Sequence, residues 1–140
     1  MIRTLRLSDL PLLLPLLAEL GYDVKLETLK VRFQALSASG EHYFFVFENA
    51  EGLLLSFLHL NLSKSLIMEP QLAIRALVVK AGSRGMGLGK MMVEYTKSAA
   101  ARSGAEEVVL WAKHNRADAH RFYLREGFRS YGIFFSWRSG

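Results

Sequence analysis

The chain reads as one α/β domain spanning residues 1–140, and three observations predict that class. Segments with period-two or Val-rich apolar patterning alternate with segments whose apolar residues recur at helical spacing. A strand, a glycine-rich turn and an amphipathic helix follow one another at the centre of the chain. No repeat, linker or low-complexity stretch interrupts the resulting order, β-α-α-β-β-β-α-β-α-β. At 140 residues with 51% hydrophobic content, the chain has ample apolar material for a single core.

The elements follow from local signals. Ile2 to Leu7 is strand-like, and Ser8 to Leu20 is a helix that Ser8 and Asp9 can cap, with Pro11 and Pro15 in its early turns and Gly21 as its stop. Leu26, Leu29, Phe33 and Leu36 mark a second helix, ended by the Ser37–Gly40 break. Tyr43 to Phe47 and Leu53 to Leu62 flank a short loop containing Gly52, which predicts an antiparallel hairpin. Ser63 to Pro70 is polar and broken, and Gln71 to Lys80 is the strand entering the glycine turn. Beyond the turn, Leu88, Met91, Met92, Tyr95 and Ala99 form an apolar helical face that leaves Lys90, Glu94 and Lys97 outside, with Gly104 as the stop. Val108 to Lys113 is a strand. Asn115 to Gly127 is a helix with Asp118 in its first turn. Tyr131, Ile133, Phe135 and Trp137 alternate with smaller or opposite-facing residues, so the pattern predicts a closing strand, able to complete the sheet or to pair with a second copy in a homodimer.

Composition excludes several chemistries. There is no cysteine, hence no disulfide, thiolate metal site or acyl-cysteine intermediate. His42, His59, His114 and His120 lack tight ligand spacing, so no metal centre is expected. The net charge of +5 favours anionic ligands. Lys113, Arg116, Arg121, Arg125 and Arg129 cluster without any nucleic-acid motif, and a solvated basic face accounts for them. The leucine-rich run after Arg3 and Arg6 is interrupted by Glu19, lacks a clean cleavage site and is too short to span a bilayer. The expectation is a cytoplasmic protein without membrane association.

The stretch from Leu77 to Lys90 carries the chemistry. Gly85, Gly87 and Gly89 let several backbone N–H groups converge where a helix begins, and that end also holds partial positive charge. Arg84 and Lys90 add full charges at the two ends of the turn. A pyrophosphate can dock there without metal. A Walker A loop is ruled out, because Arg84 stands where its first glycine belongs and Met91 where its hydroxyl residue belongs. The dinucleotide fingerprint fails as well, with Lys90 in place of its last glycine.

What remains, Arg84-x-x-Gly87-x-Gly89 after a Val-rich strand, resembles the acetyl-CoA loop of the GNAT superfamily of N-acetyltransferases. A second match lies downstream, where Asn115, a short helix, Phe122-Tyr123 and Gly127-Phe128 follow in the family's order. The resemblance covers nearly the whole chain. It implies a mixed sheet flanked by helices, acetyl-CoA as acyl donor, and direct transfer to a primary amine on a small molecule or peptide, without metal or covalent enzyme intermediate. By the same resemblance, Leu77, Val78 and Val79 would hold the pantetheine through backbone groups, and Arg84, Gly85, Met86, Gly87, Leu88, Gly89 and Lys90 the pyrophosphate. Asn115 is placed either to bond the pantetheine or to cap its helix. Tyr123 matches the family's proton donor to the leaving thiolate; a phenol of pKa ~10 is protonated at neutral pH.

One position departs from the pattern. Many relatives carry glutamate two residues before the Leu-Val-Val segment, and Arg75 stands there in this chain. An arginine cannot act as a base. His59, Glu69 or water alone remain to take the amine's proton, and a non-catalytic acyl-CoA-binding module is the alternative function. Arg75 also implies an acceptor with a negative group. Tyr22-Asp23-Val24 and Ser63 to Pro70 lie where such folds wall the acceptor pocket.

Overall fold

A computed structural model describes residues 1–113, 116–130 and 132–140. The chain forms two compact units, Met1–Val109 and Leu110–Gly140. The first contains β1 (Ile2–Thr4), α1 (Leu10–Glu19), α2 (Leu26–Ala38), β2 (His42–Glu48), β3 (Leu54–Ser63), β4 (Gln71–Val79), α3 (Leu88–Ser103) and most of β5 (Glu107–Leu110). The second contains α4 (Ala117–Arg125).

The five strands lie in sequence order, β1-β2-β3-β4-β5. The first four pair antiparallel. β5 departs from that rule: Glu106 N–H donates to Pro70 O at 3.1 Å and Gln71 Nε2 donates to Glu107 Oε1 at 3.0 Å, so β5 begins beside the beginning of β4. The two strands therefore run parallel, with α3 as the crossover that such a pair requires. The sheet is mixed, as the resemblance implied. β4 has nine residues against four in β5, so its Ala76–Val79 half outruns its neighbour.

Cross-strand partners share a sheet face, and the register assigns those faces. Phe44 opposite His59 and Val46 opposite Phe57 face α1 and α2, where Leu10, Leu13, Leu16 and Leu17 fill the core and Leu26, Leu29, Phe33 and Leu36 pack against it. The leucine run is thus an amphipathic core helix. Phe45 faces the other way and meets Tyr95 of α3, ring centroids 4.8 Å apart. Among the described residues no helix is long and apolar enough to cross a membrane.

Three expectations need correction. The side of α3 that is buried is Leu88, Met92, Val93, Thr96 and Ala100, while Met91 is exposed. The apolar stripe read from the sequence was therefore rotated: Thr96 can join the buried face because its γ-hydroxyl is satisfied within the helix, donating to Met92 O at 2.8 Å, so polarity by residue type misplaced the stripe. Asp9 makes no side-chain cap to α1. Its carboxylate is engaged by Arg3, through Nη1 at 2.8 Å and Nη2 at 2.9 Å, and by the Arg6 N–H at 2.7 Å. Finally, residues 132–140 form no strand, and Ile133, Phe134, Phe135 and Trp137 are exposed. Alternation supplies a side-chain face, but a strand also needs a neighbouring backbone to complete its ladder. Tyr131, the first residue of that expected strand, lies outside the described residues.

Candidate functional site

β4 delivers the chain to the glycine bend. After Val79 a short 3-10 turn, Ala81–Ser83, is tied to the end of α1, whose Glu19 carboxylate accepts the Ala81 N–H at 3.0 and 3.2 Å. Arg84 resumes an extended backbone and folds its side chain back, Nε donating to Val79 O at 3.3 Å. Gly85 and Gly87 then take φ of +85° and +79°. Among the described residues, nothing beyond the adjoining chain lies within 4 Å of where a Cβ would stand on either, so the left-handed backbone, rather than crowding, requires glycine there.

Gly87 is the N-cap of α3 and has no side chain with which to cap it. The first helical hydrogen bond runs from Met91 N–H to Gly87 O at 3.0 Å. The N–H groups of Leu88, Gly89 and Lys90 therefore precede the ladder and need a partner from elsewhere. Leu88 buries its side chain in the core, leaving its backbone for that role, while Arg84, Met86 and Lys90 are exposed around the bend. The arrangement can hold an anion of pyrophosphate size by backbone donors, helix-end charge and two cations. Leu77, Val78 and Val79 lead directly into it on the half of β4 that outruns β5.

Tyr123 lies in the second unit, on α4. Its ring packs edge-on against Phe122 and Phe128, with centroids 5.1 and 5.4 Å away. Burial pushes the phenol up to about 12, slightly opposed by the charge of Arg116. The hydroxyl thus keeps its proton throughout the neutral range. Asn115 lies outside the described residues. Glu69 sits in the exposed loop before β4.

The surroundings of Arg75 were not legible from sequence. His59 pairs with Ala76 while the next residue, Leu60, pairs with Ile74, so Arg75 is the extra residue of a β-bulge. On the α2 side of the same sheet region, His42 Nδ1 and His59 Nε2 are 2.9 Å apart, and Asn61 Nδ2 lies 3.3 Å from His42 Nε2 and 3.2 Å from Glu41 O. The His59 ring stacks on Phe44 at 4.4 Å, and Phe44 in turn meets Phe33 of α2 at 5.4 Å. Burial lowers the basicity of both imidazoles, and the charge of Arg75 lowers it further, with His59 pushed down to about 4. Only the strand register could have revealed this cluster, because seventeen residues separate the two histidines in the chain. Among the described residues there is no group of three or more His, Cys, Asp or Glu able to hold a metal ion.

Residues 10–128 match the sequence profile of the Acetyltransferase (GNAT) family. A 56-residue stretch is 41% identical to the aminoalkylphosphonate N-acetyltransferase of Salmonella typhimurium, a match covering 40% of this chain and 36% of that protein. Among solved structures, the glucosamine-6-phosphate N-acetyltransferase of Arabidopsis thaliana superposes with a TM-score of 0.84 at 25% identity, over 99% of this chain and 97% of that one. An acetyltransferase of Trypanosoma brucei shares the fold, with a TM-score of 0.85 at 22% identity over 99% of both chains.

Proposed function

Because this chain belongs to the Acetyltransferase (GNAT) family, and is on that ground an acyltransferase, we propose that it moves an acetyl group directly from acetyl-CoA to a primary amine. The observation that carries the reading is the positive-φ glycine bend at Gly85 and Gly87, opening onto the uncapped N-terminus of α3. In this reading the N–H groups of Gly85 to Lys90, with Arg84 and Lys90, hold the pyrophosphate, and the backbone of Leu77, Val78 and Val79 aligns the pantetheine arm. Asn115 is assigned to the pantetheine, since the N-cap of α4 is Arg116 and the expected capping role falls away.

Held in that way, the thioester meets a neutral amine at high effective concentration. Attack on the carbonyl forms the C–N bond, and collapse of the adduct breaks the C–S bond. The departing thiolate takes a proton, which Tyr123 supplies in this proposal; its protonated phenol suits a donor. The similar proteins named above act, by their names, on an aminoalkylphosphonate and on glucosamine 6-phosphate, both of which carry an amine. That supports an amine acceptor for this chain.

Titration calorimetry with acetyl-CoA, followed by thiol release across an amine panel, tests the proposal. Saturable heat with release of free CoA is the expected result. Heat without release for any amine would instead identify a non-catalytic acyl-CoA-binding module. No heat would remove the donor site altogether.

A further inference from the structure

The hydrogen-bond chain beside the Arg75 bulge fixes which nitrogen of His59 carries its proton. Glu41 O is a carbonyl and can only accept, so the Asn61 atom 3.2 Å from it must be the amide nitrogen. That same nitrogen lies 3.3 Å from His42 Nε2, which must therefore be the unprotonated, accepting nitrogen of a neutral ring. His42 then carries its hydrogen on Nδ1 and donates it to His59 Nε2 at 2.9 Å. The remaining hydrogen of His59 sits on Nδ1. No acceptor meets that atom among the described residues, and it is not enclosed, since the only enclosed side-chain polar atom without a partner among them is Ser56 Oγ.

His59 therefore presents an N–H and cannot take a proton from the amine through that face. The sequence-based assignment of His59 as a base is replaced by a donor. Arg75, exposed on the bulge next to Ala76, the cross-strand partner of His59, adds a full positive charge that both imidazoles experience. A donor and a guanidinium on neighbouring strands, one to two residues before the Leu77–Val79 segment, form a receptor for oxygen anions. Resting on the acetyl-transfer reading, we propose that the acceptor amine carries a carboxylate or phosphonate group, which His59 Nδ1–H and Arg75 bind. The anchor Asn61–His42 is a positioning device: it engages the lone pair of His59 at Nε2 and leaves the Nδ1–H as the group available to a ligand.

Long-range proton–nitrogen correlation spectra of the labelled full chain read the tautomers directly, and methylphosphonate serves as a probe independent of catalysis. The expected result is His42 and His59 both protonated on Nδ1, with a saturable shift of His59 on adding methylphosphonate that Arg75→Met weakens about tenfold or more, the loss of one charge-assisted contact. Thiol release from acetyl-CoA should favour aminopropylphosphonate or aminobutyrate over uncharged aminopropanol by a similar factor, the two anions revealing which headgroup fits. Arg75→Met and Asn61→Leu should both erode that preference while leaving the heat of acetyl-CoA binding intact. A proton on His59 Nε2, no saturable shift, or aminopropanol or spermidine as the better acceptor would overturn the proposal. Absent acetyl-CoA heat with the methylphosphonate shift retained would instead remove the donor reading and keep the anion site.

Discussion

Substituting Gly87 separates the contribution of the bend to binding from its contribution to stability. Its φ of +79° and ψ of +11° are left-handed, and an alanine Cβ would meet nothing within 4 Å, so the cost of Gly87→Ala is conformational alone. An L-residue in that region costs about 1–2 kcal/mol, partly offset by a stiffer unfolded chain. A net loss of about 1 kcal/mol, or roughly 4 °C in Tm, is expected. Gly104 has the matching geometry, φ +77° and ψ +14°, at the other end of α3. Gly104→Ala should therefore cost the same in urea titrations. The two should differ toward acetyl-CoA. Relaxing the strain at Gly87 rotates the N–H groups opening α3, and each charge-assisted bond lost is worth about 1.5–3 kcal/mol, or roughly 10- to 100-fold in Kd. Gly82, whose φ is not positive and whose Cβ position is open, is the control; Gly82→Ala should change neither quantity. Calorimetry showing equal acetyl-CoA affinity for Gly87→Ala and Gly104→Ala would refute the reasoning.

Other expectations concern stability, pH and turnover. Asp9→Ala should destabilise by about 1.5–3 kcal/mol, because Arg3, whose side chain is 10% exposed, loses its bidentate partner and keeps Glu48 as its remaining anion; a denaturation midpoint shift worth less than about 1 kcal/mol would contradict this. His59 is pushed down to about 4 in the folded state by burial, then by His42 and Arg75, with Glu41 opposing at His42. The unfolded chain binds more protons between pH ~6.5 and ~4, so stability should fall by about 2 kcal/mol as pH drops through that window, after discounting for the partly exposed ring; His59→Gln should flatten the slope in pH-dependent melts. Asp9 acts below it, since Arg3 holds its carboxyl under the ordinary 3.8 and its contribution is lost as pH falls through the folded value. Tyr123→Phe should lower kcat by about 100-fold or more with acetyl-CoA affinity unchanged; steady-state kinetics showing full turnover would remove Tyr123 as the acid.

What the sequence disclosed divides by range of interaction. The strand–bend–helix unit was legible because its requirements are local: Gly85 and Gly87 meet a backbone demand, and Leu88 marks the helix start within a few residues. α2 was equally plain, since Leu26, Leu29, Phe33 and Leu36 turn one face inward. Asp9 was read as a cap because nothing in the sequence shows that Arg3, six residues away and on a strand, reaches it with two hydrogen bonds. The closing strand was inferred from alternation alone, which is silent on whether a neighbour is available to pair with it.

The Arg75 bulge unites the local and the long-range parts. A lone arginine replacing a glutamate looked like the loss of a base. The register shift between His59 and Leu60 makes Arg75 the extra residue of β4 at a β-bulge, where regular alternation of side chains is interrupted. Glu41 and Asn61 are linked to His59 through His42, and only because β2 and β3 align His42 with Asn61 and Phe44 with His59. An arginine and an oriented imidazole N–H recognise charge rather than remove protons. With His59 a donor in this proposal, Glu69 or solvent is left to take the proton of the acceptor amine, and the proposed site achieves rate chiefly through placement of donor and acceptor.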